Sequence, residues 1–149
     1  MRVTCDTNVL VRAAVRPLGP ARAAFVELLS DVHVLVLSEE ILAELSRVLR
    51  YHRVRSQSQL TDAEIDSFVH ELRELSRLVE LPKPIPAVTS DPDDDIIVAT
   101  AVAGNSRVIC TRDRHIRHKL VQAYCATYGI RVLTEVELLD DLRVGRHET

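Results

Sequence analysis

Aromatic side chains are scarce in this chain: three Tyr, two Phe and no Trp, 3% of 149 residues. It therefore lacks the ring platforms on which single-strand binders stack bases, and its core must be built from Val, Leu, Ile and Ala. Glycine is equally thin, with four residues. No glycine-rich stretch is present to cradle phosphates, which speaks against a nucleoside-triphosphate site. The three cysteines, Cys5, Cys110 and Cys125, are odd in number and show no paired spacing, so neither a disulfide framework nor a zinc motif is expected. Cys5 and Cys110 lie inside apolar runs and read as small buried thiols. No run approaches the ~18 apolar residues of a membrane span, and the first residues carry no leader-like apolar stretch. The expected location is the cytoplasm, with no membrane role. Nor is there an excess of one charge. Lys and Arg total 19 against 22 Asp and Glu, a net charge of −3, so bulk attraction to nucleic acid is not expected. No Ser-His-Asp or Cys-His order suggests a side-chain nucleophile.

What is present is an ordinary globular balance, 46% hydrophobic and 28% charged, in a chain long enough for one domain over 1–149. Charge is segregated. Arg12, Arg16, Arg22, Arg47, Arg50, Arg53 and Arg55 fall in the first half, and Asp91, Asp93, Asp94 and Asp95 form one knot. Short β-branched runs alternate with helical patterns. Strands are expected over Arg2–Asp6, Val32–Leu37, Leu78–Leu81, Arg107–Thr111 and Ile130–Thr134. Helices are expected over Ala21–Leu29, from the Ser38 cap to Arg50, from Thr61 or Asp62 to Arg77, from Asp91-Pro92 to Gly104, before Tyr128, and over Glu135–Leu142. The polar stretch Arg53–Leu60 and the Pro-rich Leu81–Ser90 read as connectors. This alternation predicts an α/β fold, a three-layer α/β/α sandwich with a central parallel sheet, whose ligands bind at the carboxyl ends of the strands.

Four carboxylates from distant segments fall where that edge should be. Asp6 ends the first strand, Asp113 follows the fourth, Glu44 lies on the helix after the second, and Asp95 opens the Pro92 helix. Each has a plain explanation alone. Asp6 suits a turn, Asp113 a cap, Glu44 the border of a helix face, and Asp91–Asp95 compensation of a helix dipole. Together they are harder to dismiss, because four acids in five residues repel one another and a cation removes that repulsion. All-oxygen ligands favour Mg²⁺ or Mn²⁺ over zinc. Such a site suits a metal-activated water attacking phosphorus.

At these residues the sequence resembles a known family. Cys5-Asp6-Thr7-Asn8-Val9-Leu10, Glu39-Glu40-Ile41-Leu42-Ala43-Glu44-Leu45, Asp91-Pro92-Asp93-Asp94-Asp95-Ile96-Ile97-Val98-Ala99-Thr100-Ala101 and Thr111-Arg112-Asp113 stand in the order and rough spacing of the PIN domain. The resemblance, from Met1 to about Leu139, is closest in type to the VapC-like toxins of bacterial toxin–antitoxin pairs. It implies a metal-dependent endoribonuclease, with Asp6, Glu44, Asp95 and Asp113 as catalytic metal ligands for Mg²⁺ or Mn²⁺. It implies that Asn8 and Thr111 orient the cluster and that cleavage leaves a 5′-phosphate and a 3′-hydroxyl. A small antitoxin partner and a homodimer follow from the same resemblance. Asp95 is preferred to its neighbour Asp94, the additional acid, because it directly precedes the apolar run. The chain departs from the family where Arg112 replaces a small residue and His115 replaces a further acid.

RNA approaching an acidic cleft needs basic residues around it. Arg12, Arg16 and Arg112 are the candidates for RNA contact, against the plainer reading of solvated surface residues. Two rival functions are a non-catalytic RNA- or protein-binding module of the same fold and an aspartyl phosphoryl-transfer protein. The second is disfavoured because Asn8 stands where a phosphatase needs a second Asp.

Overall fold

In the computed structural model, which describes residues 1–30 and 32–147, the chain starts with strand β1 (Arg2–Cys5) and turns at once into helix α1 (Thr7–Val15). Helix α2 (Pro20–Leu28) and strand β2 (Val34–Leu37) follow, then α3 (Glu39–Leu49), α4 (His52–Ser58) and α5 (Asp62–Leu75). A two-residue strand β3 (Arg77–Leu78) and a long connector lead to α6 (Pro92–Ala103). The remainder is β4 (Val108–Cys110), α7 (Lys119–Ala126), β5 (Arg131–Leu133) and α8 (Glu135–His147).

The five strands form one sheet in the order β3-β2-β1-β4-β5. Every pairing is parallel: Val3 sits opposite Leu35 and Val108, and Cys5 opposite Cys110. The strand interiors are largely apolar, as a sheet covered on both faces requires, with Arg2, Arg77 and Arg131 only at the strand starts. Val3, Leu35, Leu37, Val108 and Ile109 are buried, and Ile41, Leu42, Leu45, Ile65, Leu72, Ile97 and Leu138 pack on them from the helices. Burying each large aliphatic side chain contributes about 1.5–3 kcal/mol. The α/β sandwich with a parallel sheet is the one the alternation of elements predicts.

Local sequence sets the helix starts that matter below. Ser38 accepts the Ile41 N–H at 3.4 Å at the head of α3. Asp91 caps α6 by accepting the Asp93 N–H at 2.9 Å, and Pro92 occupies the first turn, where its missing N–H costs nothing. Thr61 and Glu64 form a reciprocal capping box on α5. Gly104 closes α6 against β2. A Cβ there would overlap Val36 Cγ1. Gly104→Ala should destabilise the protein by about 1–3 kcal/mol, the usual cost of overpacking a filled core. Urea unfolding measures this, and a variant as stable as the parent would mean that β2 shifts freely.

Several boundaries differ from the sequence reading. Strand β1 ends at Cys5, not Asp6, because Asp6 becomes the cap residue of α1. Helix α1 itself had no counterpart. Strand β2 starts at Val34, where pairing with β1 begins, and β3 covers Arg77–Leu78 in place of Leu78–Leu81. The Arg53–Leu60 connector is largely helical. Helix α4 fills it and ends on Gln59 in the left-handed region at φ 58°, tied to the head of α5 by Arg55 pairing with Asp62. Helix α8 extends past Leu142 to His147.

Candidate active site

The carboxyl edge of the sheet is where β1 and β4 both stop. The Asp6 N–H bonds to the Cys110 carbonyl at 2.9 Å, stitching the two strand ends together, and the Asp6 carbonyl accepts from Val9 and Leu10 as α1 begins. Asp6 is thereby fixed with only 5% of its surface exposed. The buried Thr111 hydroxyl donates to Asp6 Oδ2 at 2.7 Å while accepting the Asp113 N–H at 2.9 Å. Asp113 Oδ1 in turn accepts the His115 N–H at 2.7 Å. One hydroxyl thus fixes two carboxylate-bearing positions relative to each other.

Glu44 reaches the same edge from α3, where the Thr7 hydroxyl donates to Oε2 at 3.3 Å. The fourth acid is Asp94, in the first turn of α6 and buried. Its Oδ2 is out of contact with solvent and is offered no donor, while the neighbouring Asp113 carboxyl can pair with Asp94 only by sharing a proton. Asp95, the acid expected here from sequence, points elsewhere. Its Oδ1 accepts the Val88 N–H at 2.9 Å and the Thr89 N–H at 2.6 Å, tying down the connector before α6. The structure therefore brings together Asp6, Glu44, Asp94 and Asp113, with Asp94 in the position expected of its neighbour. Both acids lie in the first turn of α6, and successive residues on a helix point about 100° apart.

These carboxylates disturb one another. Burial pushes Asp94 up to about 8, with the charges of Asp113, Asp6 and Asp91 adding to the effect. Burial also raises Asp6, opposed by the Thr111 hydroxyl and the Asn8 backbone amide and reinforced by Asp113. Glu44 is raised by burial and by Asp93, with Thr7 opposing and Asp6 adding. Asn8 acts on Asp6 through its backbone amide, while its residue as a whole is exposed.

Two of the three arginines singled out from sequence are held by a residue the sequence reading gave no role. Glu135, at the start of α8 and 0% exposed, accepts from Arg12 at 2.9 Å and forms an ion pair with Arg112 at 3.1 Å. Arg12 also lowers the pKa of Asp6. Arg16 lies at the other end of α1 from Asp6, as its C-cap. A signal for the α8 start was present: Thr134 and Glu137 exchange a capping box, with N–H to Oε1 at 3.0 Å and N–H to Oγ1 at 3.3 Å, which the T-x-x-E spacing announces. That the intervening Glu135 would be buried could not be read from it.

Among the described residues, no three His, Cys, Asp or Glu side chains are arranged so that they could hold a metal ion as placed. The donor chemistry still suits one. Four carboxylates share one edge, one buried oxygen is offered no donor, and burial, reinforced by the neighbouring charges, keeps a proton on Asp94 that a divalent cation would displace. The oxygen-only set fits Mg²⁺ or Mn²⁺.

Among the described residues, no helix is long and apolar enough to cross a membrane. No curated protein matches the chain in sequence. Among solved structures, the chain is similar to a chain in the crystal structure of VapBC2 from Rickettsia felis bound to a DNA fragment from their promoter. The TM-score is 0.58 at 14% identity, covering 90% of this chain and 98% of that one. At that identity the likeness establishes a shared fold. The family profile of the PIN domain matches residues 2–115, a span that holds all four clustered acids. The chain belongs to the PIN domain family, whose members are generally nucleases.

Proposed function

We propose that this protein is a Mg²⁺- or Mn²⁺-dependent endoribonuclease whose centre is Asp6, Glu44, Asp94 and Asp113. The observation that carries the proposal is the buried Oδ2 of Asp94, offered no donor, among three further carboxylates. A folded protein tolerates such an arrangement when a cation completes it. Asp6, Asp94 and Asp113 would hold the ion, with Glu44 at its side. A bound divalent ion supplies charge neutralisation at the phosphodiester and activation of water at neutral pH. The chain's own residues do the positioning. Thr111 orients Asp6 and the backbone of Asp113, the His115 N–H restrains the Asp113 carboxylate, and Thr7 restrains Glu44. Asp95 keeps the connector before α6 in place and so sets where Asp94 stands.

The likeness to a VapBC2 chain supports a role as the toxin of a toxin–antitoxin pair. In that role the protein would act in the cytoplasm on RNA, form a homodimer, and be held in check by a small antitoxin.

The test is cleavage of a panel of folded RNAs with Mn²⁺, Mg²⁺ or EDTA, comparing wild type with Asp6→Asn. Metal-dependent cutting should fall by at least about a hundredfold in the variant, since even outer-shell changes around a metal cost about 10–100-fold. A wild-type protein that neither cuts RNA nor binds Mn²⁺ in calorimetry sinks the proposal and moves the binding-module reading forward.

A further inference from the structure

The opposite edge of the sheet, at the amino ends of β1 and β4, carries an open cavity of about 500 Å³. Met1, Arg2, Asn105, Ser106, Arg107 and Tyr128 line it, and none of these side chains is an acid. Strand register explains why two cations meet there. Val3 sits opposite Val108, and one step earlier the Arg107 N–H bonds to the Arg2 carbonyl at 2.8 Å. Arg2 and Arg107 are therefore neighbours across paired strands. Like charges so placed destabilise the pairing, and an anion between them removes the repulsion.

A cation at this edge has an ordinary explanation. Helices α6 and α7 both end here, at Gly104 and Thr127, and the carboxyl end of a helix favours positive charge. Arg2 fits that explanation, since its Nη1 donates to the Gly104 carbonyl at 3.2 Å. Arg131, at the start of β5, is neutralised by Asp141 at 2.6 Å. Arg107 fits neither pattern. It is exposed, and among the described residues its guanidinium makes no hydrogen bond and no ion pair. Its Nη1 rests beside Gly129, 3.7 Å from where a Cβ would stand, which sets it next to Tyr128.

The remaining walls suit a base. Asn105, in the left-handed region at φ 53°, is exposed, and its amide can both donate and accept. Tyr128 is 53% exposed and leans on Tyr124, with ring centroids 5.3 Å apart. Guanidinium forks match phosphate, but a phosphate alone leaves most of the cavity empty. The volume falls within the roughly 300–1,000 Å³ of small-ligand pockets.

We propose that this cavity binds a small phosphate monoester of the nucleoside-monophosphate class, its phosphate between Arg2 and Arg107 and its base against Tyr128 and the Asn105 amide. A free nucleotide and the 5′-phosphate end of a short RNA share this chemistry. The site stands at the far end of the strands from Asp6 and does not depend on the nuclease reading.

The test is calorimetry of the full chain in EDTA, so that no metal recruits phosphate to the acidic edge. The probes are 5′-AMP, adenosine, inorganic phosphate and a 5′-phosphorylated dinucleotide. 5′-AMP should bind at least about tenfold more tightly than adenosine or phosphate, because only it engages both the arginines and the ring. Arg107→Ala should weaken 5′-AMP binding by about tenfold or more. Tyr128→Ala should weaken it by about five- to tenfold and leave phosphate binding unchanged. Arg131→Ala removes a cation that is already paired and should change neither. 5′-AMP should also raise the Tm of wild type but not of Arg107→Ala, whose Tm without ligand should match wild type because its side chain is unengaged. Failure of 5′-AMP to bind wild type, or equal binding to Arg107→Ala, overturns the site. With the site upheld, a dinucleotide that binds more tightly than 5′-AMP makes an RNA end the ligand, and a weaker one makes it the free nucleotide.

Discussion

Asp94→Asn should abolish metal-dependent cleavage, by about a hundredfold or more, while Asp95→Ala should stay within about tenfold of wild type. The two acids are adjacent in sequence and do different work. Asp94 presents to three other carboxylates a buried oxygen that is offered no donor, whereas Asp95 accepts two backbone N–H groups of the connector. Loss of that acceptor should cost Asp95→Ala about 1–3 kcal/mol of stability, the penalty for buried donors left unmade. Cleavage rates, Mn²⁺ isotherms and urea unfolding on both variants decide the matter. Lost Mn²⁺ binding in Asp95→Ala together with intact binding in Asp94→Asn would reverse the assignment.

The same residue should govern how the metal-free protein responds to pH. The Asp94 pKa in the folded protein is about 8 against an ordinary 3.8. Between those values the folded state holds a proton that the unfolded chain has released. Stability therefore falls as pH rises from about 4 to about 8, and the upward shifts of Asp6 and Glu44 act in the same direction. EDTA-treated wild type should lose about 1–3 kcal/mol between pH 5 and pH 8, and Asp94→Asn should show a much flatter profile. Mn²⁺ should restore stability most at the alkaline end, because there it competes with the fewest protons. Identical pH profiles for wild type and Asp94→Asn would show that its carboxyl is not the strained group.

Glu135→Ala should be more destabilising than either Gly104→Ala or Asp95→Ala, at about 2–4 kcal/mol. Glu135 is fully buried and is the shared partner of Arg12 and Arg112, whose side chains are 23% and 50% exposed. Removing it strands the guanidinium of Arg12 in a poorly hydrated place. Arg112 can turn to water, which holds the cost below that of a wholly buried pair. For a chain of this size the change corresponds to roughly 5–15 °C in Tm. Glu135→Gln, which keeps the acceptor but not the charge, should fall between Ala and wild type. The surface pair of Arg73 with Glu39, bidentate at 2.9 Å on both arms, is the natural control, since exposed pairs contribute little. An Arg73→Ala protein destabilised as much as Glu135→Ala would show that burial is not the cause.

The sheet and its edge were legible because both depend on pattern. Short β-branched runs at 2–6, 32–37, 107–111 and 130–134 separated by helical stretches specify a parallel sheet, and the parallel-sheet rule then locates Asp6, Asp113 and Glu44 at one edge. What pattern could not supply was direction. Whether Asp94 or Asp95 faces the edge depends on the phase of α6, and α6 is buried nearly all round, so no apolar stripe declares that phase. Helix α4 was missed because none of its seven residues is fully buried and only Val54 packs against the core, so the segment shows no amphipathic period. Glu135 was missed because its partners Arg12 and Arg112 lie 123 and 23 positions away in sequence, and a charged residue at a helix start normally signals a solvated one.

The strand order has a consequence for how the protein comes into being. Strand β1, made first, lies between β2 and β4. Its Asp6 has no Thr111 to donate to it and no Asp113 beside it until the ribosome has added more than a hundred further residues. At about 5–20 residues per second, synthesis leaves that gap open for roughly 5–20 s. The brace from Glu135 arrives later still. In a nascent or prematurely terminated chain the first acid therefore lacks these partners, and the proposed metal centre can be assembled only near the end of translation.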